Sequence, residues 1–193
     1  MNATGEQCFS GGLDSTIKCW NLPNSNIDPY DSYDPGILTT TLKGHSDAVW
    51  GLSIHSSKLQ LLSCSADGTV RLWSPQIKAP LLHTYHAEKD DGRPASADFV
   101  RCDPAQMVVA YTSSSAVIFD LETGKIVLRL DSDQTPSASP LSKQINHVVC
   151  HPTLPLTIAA YEDRHIRFFD TTTGKYTLLY NVVWTDGNLQ LVV

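Results

Sequence analysis

Short runs of alternating apolar and polar residues recur along this chain and predict β-strands. The clearest pair lies in LSCSADGTVRLW, residues Leu62–Trp73, where two such runs flank Asp67-Gly68. Because glycine adopts positive φ without a steric penalty, this dipeptide is typical of the tight turn in a β-hairpin. We find no convincing helical periodicity elsewhere in the sequence. The pattern therefore indicates an all-β chain.

The hairpin frame of Leu62–Trp73 recurs along the sequence. Similar segments are CFSGGLDSTIKCW (Cys8–Trp20), VAYTSSSAVIFD (Val109–Asp120) and IAAYEDRHIRFFD (Ile158–Asp170). The aromatic residues at the ends of these frames follow one another roughly every 50 residues: Trp20, Trp73, Phe119 and Phe169. A four-stranded repeat of this length is typical of a β-propeller blade, in which sheets stack side by side around an axis.

The repeat units extend approximately over residues 1–43, 44–86, 95–130 and 144–180, followed by a divergent tail at 181–193. The first unit has no segment that could supply the innermost strand of a blade. In the tail, Val182–Trp184 and Leu189–Val193 are expected to pair as a hairpin. The sequence therefore predicts an incomplete β-propeller with about three complete four-stranded blades and partial blades at both ends.

The second unit carries polar residues that fit a structural role between blades. The aromatic residue that ends each third strand is expected to fill the layer between sheets, where an unpaired polar group costs about 1–3 kcal/mol. We expect one hydrogen-bond network that joins the turn to the second and third strands, formed by His45, Ser63 or Ser65, Asp67 and Trp73.

The other units lack parts of this set. The third unit has Ser113 and Phe119 at the corresponding positions, and the fourth has Asp163 and Phe169. Neither unit can complete the network, so we expect the second blade to be the most rigid.

Charge and composition narrow the classes of function. The chain carries 14 Lys and Arg against 20 Asp and Glu, a net charge of −6, which argues against nonspecific binding to nucleic acid or to anionic membranes. No N-terminal signal segment and no long apolar run suited to direct membrane insertion occur. The five cysteines are scattered without a CxxC pair, as expected for reduced thiols. These features predict a cytoplasmic protein that reaches membranes only peripherally, through partners.

Candidate catalytic and metal-binding residues are sparse. His83 and His86 form one close histidine pair and His147 and His151 another, but zinc normally requires further ligands and the cysteines lie elsewhere in the repeats. The sequence contains no GxSxG, GxGxxG or GxxxxGK[ST] motif. We therefore expect no enzyme activity, no metal and no cofactor.

The polar loop that follows the first hairpin is a candidate partner surface. Its Tyr30 and Tyr33 stand beside Asp31 and Asp34, and tyrosines flanked by carboxylates can combine stacking with charge at an interface. The alternative is that both tyrosines pin the loop to its own blade.

A second polar loop precedes the fourth unit and contains two candidate phosphorylation sites. Thr135 and Ser139 are each followed by proline, and a phosphate at either residue would change a partner contact through its charge. An unregulated linker is the simpler interpretation of the same loop.

GHSDAVWGL followed by LSCSADGTVRLW identifies the chain as a member of the WD-repeat proteins. Further segments resemble the C-terminal propeller of the striatin family, namely DPYDSYDP (28–35), HSDAVWGL (45–52), HPTLP (151–155) and EDRHIRFFD (162–170). Generic WD repeats do not share these loop sequences. The resemblance runs in the same order from about Gly5 to Lys175.

This resemblance implies a scaffold without catalysis. Striatins are similar to regulatory subunits that target protein phosphatase 2A and gather it with Mob-family proteins and Ste20-type kinases. The caveolin-binding, coiled-coil and calmodulin-binding elements of the family lie upstream of the propeller and are not in this sequence, so links to phosphatase and calmodulin are expected to be indirect. Beyond Lys175 the resemblance ends, and we interpret the chain as a truncated isoform, a partial gene model or a fragment.

Two other function classes are alternatives. A substrate-recognition module of another WD class, such as a ubiquitin-ligase receptor, would need a ring of Arg and Lys at the channel mouth for phosphorylated peptides, and the dispersed basic residues argue against it. A propeller enzyme would need convergent carboxylates or metal ligands at strand ends, and the sequence does not reveal such a group.

Overall fold

The computed structural model describes residues 4–22, 37–55, 57–88, 90–130, 144–185 and 188–192. Within these ranges the regular elements are all β-strands, and no helix occurs. The prediction of an all-β chain is therefore confirmed.

The described strands form four antiparallel sheets, and the strands of each sheet are neighbours in chain order. The first sheet contains β1 (Gln7–Gly11), β2 (Ile17–Asn21) and β3 (Leu38–Leu42). The second contains β4 (Val49–Ile54), β5 (Leu61–Ser65), β6 (Thr69–Trp73) and β7 (Leu81–His86). The third contains β8 (Pro94–Phe99), β9 (Gln106–Tyr111), β10 (Ala116–Asp120) and β11 (Ile126–Leu130). The fourth contains β12 (Ile145–Cys150), β13 (Leu156–Tyr161), β14 (His165–Asp170), β15 (Tyr176–Thr185) and β16 (Asn188–Val192).

Consecutive sheets pack face to face, and the strands that open the second, third and fourth sheets, β4, β8 and β12, lie beside one another. We call these three the inner strands. Meander sheets that are stacked in this way around their first strands are the blades of a propeller. The structure is therefore an incomplete β-propeller, as the repeat pattern predicts.

The third sheet is buried on both faces, which explains its nearly continuous apolar strands. Successive side chains of β9 point to opposite faces, so Met107 and Val109 pack against the second sheet while Val108 and Ala110 pack against the fourth. In β13 of the fourth sheet, by contrast, only alternate residues are buried. The fourth sheet thus has one face covered by the third sheet and one face that is more exposed.

Each hairpin between the second and third strands of a unit requires a left-handed residue at the same place. In the second sheet this residue is Gly68, with φ of 85°. The corresponding residues are Ser15 at 61°, Ser114 at 74° and Arg164 at 67°. Because only the second hairpin has glycine there, the other three turns bear a backbone penalty.

The inner strands share a one-residue irregularity near their start. In β4 the pairing shifts between Val49 and Gly51, which leaves Trp50 as an extra residue opposite β5. Corresponding shifts occur at Ala95 in β8 and Asn146 in β12. A bulge redirects the side chain of the extra residue, and 48% of Trp50 is exposed.

The chain's last two strands pair as the sequence suggests, Val182 with Leu191 and Trp184 with Leu189. They do not form a sheet of their own, however. Strand β15 continues without a break from Tyr176, where it pairs with β14, and β16 then adds a fifth strand to the fourth sheet. The residues beyond the fourth repeat unit therefore extend an existing blade, because nothing interrupts β15 at the end of that unit.

Candidate functional site

The polar residues singled out in the second unit lie together in the second sheet and beside the turn between β5 and β6. His45 Nδ1 is 2.9 Å from Asp67 Oδ2, and His45 Nε2 is 2.7 Å from Ser63 Oγ. Trp73 Nε1 donates to the same Ser63 oxygen at 2.8 Å. Ser65 has a separate role, since its hydroxyl donates to the Asp47 carbonyl and accepts from the Asp67 amide. We call these five residues, His45, Ser63, Ser65, Asp67 and Trp73, the second-sheet network.

The partners fix the direction of each hydrogen bond in this network. Trp73 can only donate, so the Ser63 hydroxyl hydrogen is free to point to His45 Nε2. His45 is therefore assigned as the neutral tautomer that carries its proton on Nδ1 and donates it to Asp67. The result is one chain of donors that runs from the third strand through the second strand to the turn.

Two residues that the sequence analysis missed, Thr69 and Ser46, complete the environment of Asp67. Thr69 donates to Asp67 Oδ1 through its amide at 2.9 Å and its hydroxyl at 2.6 Å, and the Ser46 amide donates to Oδ2 at 3.1 Å. The Asp-x-Thr spacing was an available signal, because a short acidic side chain commonly accepts from the residue two positions later. The same contact occurs between Asp14 and Thr16.

Burial and hydrogen bonding act on the protonation states in the network. Burial lowers the pKa of His45, and the neighbouring Asp67 carboxylate offsets this only in part. Burial alone would raise the pKa of Asp67, but hydrogen bonds from Thr69, His45 and the Ser46 amide outweigh it and bring the pKa well below its usual value. Neutral His45 beside an ionised Asp67 is therefore the favoured state near neutral pH.

The order aspartate, histidine, serine has the connectivity of a hydrolase triad, but its surroundings do not suit that chemistry. Ser63 is fully buried and its oxygen is already engaged by Trp73, so a substrate carbonyl has no approach to it. A nucleophilic serine must reach a reacting atom in an accessible site. The arrangement can hold the two strands and the turn together, but Ser63 is not placed to act as a nucleophile.

The other sheets use different residues for the same task. In the first sheet, Trp20 Nε1 donates to Ser10 Oγ at 2.8 Å, which repeats the pair formed by Trp73 and Ser63. In the fourth sheet, Arg167 replaces the histidine and binds Asp163 with a shortest distance of 2.6 Å. The Arg167 guanidinium also stacks 3.9 Å from the ring centre of Tyr161.

In the third sheet, the corresponding buried polar contacts are made by a residue that lies before the first strand. Ser113 and Phe119 do not make a network there; the Ser113 hydroxyl lies 3.1 Å from that of Ser115. Buried Asp91 instead accepts from Ser115 Oγ at 2.8 Å and from Arg129 Nη1 at 2.7 Å. Arg129 is far from Asp91 in sequence, so no local pattern could reveal this pair.

The close histidine pairs are held by separate contacts. His151 Nδ1 accepts the amides of Thr153 and Leu154, whereas His147 Nδ1 lies 2.9 Å from Ser96 Oγ. His83 Nε2 lies 3.3 Å from the Glu122 carbonyl oxygen. In the part of the chain that the structure describes, no cluster of three or more His, Cys, Asp or Glu side chains suited to a metal ion occurs.

The two loop predictions fall outside the described residues. Tyr30, Asp31, Tyr33 and Asp34 belong to the stretch 23–36, and Thr135 and Ser139 belong to 131–143. Both therefore stay predictions. Across the described ranges, no helix has the length and apolarity that would let it span a membrane.

Comparison with known proteins agrees with this geometry. Residues 36–74, which contain the whole second-sheet network, match the family model described as WD domain, G-beta repeat. The chain is 57% identical to striatin-3 of Homo sapiens over 175 residues, which is 91% of this chain and 22% of the relative. It is 50% identical to striatin of Homo sapiens over 183 residues (95% and 23%) and 47% identical to striatin-4 of Mus musculus over 176 residues (91% and 23%).

The fold and the network thus define a WD-repeat protein. Over nearly all of its length the chain is a homologue of the striatins, as the loop sequences predict, and it spans less than a quarter of the length of these relatives. Its WD repeats and this kinship support a role in protein interaction.

Proposed function

We propose that this chain is a non-catalytic protein-interaction scaffold of the striatin type, which acts in the cytoplasm and helps to assemble protein phosphatase 2A with Mob-family proteins and Ste20-type kinases. The observation that carries the proposal is the homology to striatins across 91–95% of the chain. Its partners are proteins, and its net charge of −6 argues against nucleic acid.

The buried polar residues support a role in stability. The second-sheet network joins a turn to two strands, and each of its members except Ser65 takes part in one connected chain of donors. Because a fully bonded buried network makes one arrangement of the strands favourable, these residues serve to hold the blade rigid. Partner contacts then fall to exposed side chains, as rigid scaffolds commonly present them.

Capture of partners from cells tests the proposal. The tagged 193-residue chain and tagged full-length striatin-3 are purified in parallel, and the co-purified proteins are identified by mass spectrometry. We expect the full-length protein to recover phosphatase subunits, and this chain to recover a subset of the same partners without direct binding to the phosphatase. Recovery of no shared protein by the two baits would contradict the scaffold proposal.

The alternative of a phosphopeptide receptor is less well supported. Such a receptor needs several unengaged cations that converge on one site, and a single partly exposed arginine such as Arg101 does not supply them. Arg129 is bound to Asp91 and Glu88, and Arg167 is buried against Asp163. Both cations therefore serve the internal structure of their own sheets.

A further inference from the structure

A groove of about 550 Å³ runs along the inner strands. Its size lies within the range of ligand sites in proteins, about 300–1,000 Å³. Apolar side chains form much of its wall: Phe9, Leu52, Ile54 and Val149. Its polar side chains include Asp98, Arg101 and His147. We call it the inner groove.

Most of the acceptor capacity of Asp98 is used by the protein itself. One carboxylate oxygen accepts from Ser53 Oγ at 2.5 Å and from the Phe99 amide at 2.9 Å, and Arg101 lies 3.5 Å from it. The other oxygen accepts from the Cys150 amide at 2.8 Å. Since the residue is also buried, its negative charge is largely matched by the protein itself.

His147 and Arg101 present donors to the groove. The Ser96 hydroxyl accepts from the Val148 amide at 3.3 Å and lies 2.9 Å from His147 Nδ1. With the Ser96 hydrogen donated to Nδ1, the neutral His147 ring carries its proton on Nε2. The Arg101 side chain is 30% exposed, and its guanidinium has more N–H groups than its contact with Asp98 uses.

We propose that the inner groove binds a carboxylate carried by a short apolar segment of a partner protein. The carboxylate accepts from His147 Nε2 and from the Arg101 guanidinium, a charge-assisted pairing for which the planar guanidinium is well shaped. Aliphatic residues on either side of the carboxylate pack against Leu52, Ile54 and Val149. A cationic ligand is disfavoured, because the Arg101 guanidinium would repel it and the Asp98 carboxylate is already bound by Ser53 and by the Cys150 amide. This inference rests on the scaffold function proposed above.

Titration with a capped peptide tests the site. The peptide acetyl-Gly-Leu-Asp-Leu-Gly-amide is added to the ¹⁵N-labelled 193-residue chain, and the amide signals of Ala97, Val148 and Val149 are followed by NMR. We expect saturable shifts at these amides. Replacing the peptide's aspartate by asparagine, which leaves the protein untouched, should weaken binding at least tenfold, and so should Arg101→Ala or His147→Ala.

Matched controls lie elsewhere on the surface. Arg93 and His86 are exposed and are not among the groove residues, so Arg93→Ala and His86→Ala should leave the affinity unchanged. Equal affinity for the asparagine peptide, equal saturation by acetate alone, or no saturable shift would each overturn the proposal. If the peptide does not bind, the groove proposal is wrong and the partner-capture result is unaffected. If the peptide binds but no partner is captured, the result counts against the scaffold function and not against the groove.

Discussion

The second and fourth sheets both hold an aspartate at the turn after their second strand, but with partners of different charge. Asp67 is bound by a neutral histidine, a threonine and a backbone amide. Asp163 is bound by the buried guanidinium of Arg167, which stacks on Tyr161. A carboxylate whose partners are uncharged depends on complete hydrogen bonding, whereas a buried ion pair depends on both charges being present. The comparison therefore predicts different sensitivities to mutation and to pH.

Loss of the cation in the fourth sheet should have the largest effect. Arg167→Met removes the positive charge and leaves Asp163 without its main partner, and breaking a buried pair in this way typically costs about 3–5 kcal/mol. Because Asp163 is 13% exposed, we expect about 3 kcal/mol less free energy of unfolding, measured by urea denaturation. Arg93→Met is the control at an exposed position. A loss no larger than the control's would refute a structural role for the pair.

Removal of the histidine in the second sheet should come next. His45→Ala leaves both Ser63 and Asp67 short of a partner inside the blade, so we expect a loss of about 2–3 kcal/mol in the same measurement. His86→Ala, at an exposed position of β7, should change stability by less than about 0.5 kcal/mol. Equal small losses in both variants would show that the network contributes nothing to stability.

A fall in pH should reduce the stability contributions of the second and fourth sheets over different pH ranges. The pKa of His45 is lowered by burial, so the unfolded chain binds this proton more readily and the folded state loses stability as pH falls below about 6.5. The pKa of Asp163 is also lowered, because Arg167 outweighs the opposing effect of burial, but its contribution is lost only below about pH 4.

Unfolding curves between pH 7 and pH 5 check this difference. The wild-type chain should lose stability across this range. His45→Phe should reduce that dependence and leave the part due to buried His55, whose pKa is also lowered by burial, whereas Arg167→Met should retain all of it. An unchanged slope in the histidine variant would contradict the assignment of neutral His45.

The hairpin turns should give the smallest effect. Ser114 has φ of 74° where the second hairpin has Gly68, so Ser114→Gly should raise the free energy of unfolding by about 0.5 kcal/mol. Gly68→Ser should lower it by about 1 kcal/mol through the backbone alone, since a Cβ there would contact no atom within 4 Å. We expect the two substitutions to change the free energy of unfolding in opposite directions. Changes in the same direction would refute the backbone explanation.

The sequence predicts best what depends on neighbouring residues. Strands β5 and β6 flank Asp67-Gly68 as the two alternating runs predict, because an Asp-Gly turn and an alternating run are both local signals. Strand β8 begins at Pro94 and lacks such a pattern, since both of its faces are largely buried between sheets. The pair of Asp91 and Arg129 could not be predicted either, because the two residues meet only where the loop before β8 packs against the outer strand β11.

The carboxylate of Asp98 has a further consequence for the way this molecule comes apart. It is bonded to Ser53 of one inner strand and to Cys150 of another while it belongs to a third. Repeat proteins in which each unit touches only its neighbours can melt one unit at a time. Because Asp98 bonds to both neighbouring repeats, loss of the third repeat removes a contact from the second and the fourth at the same time, and we expect its disruption to weaken the inner strands on both sides.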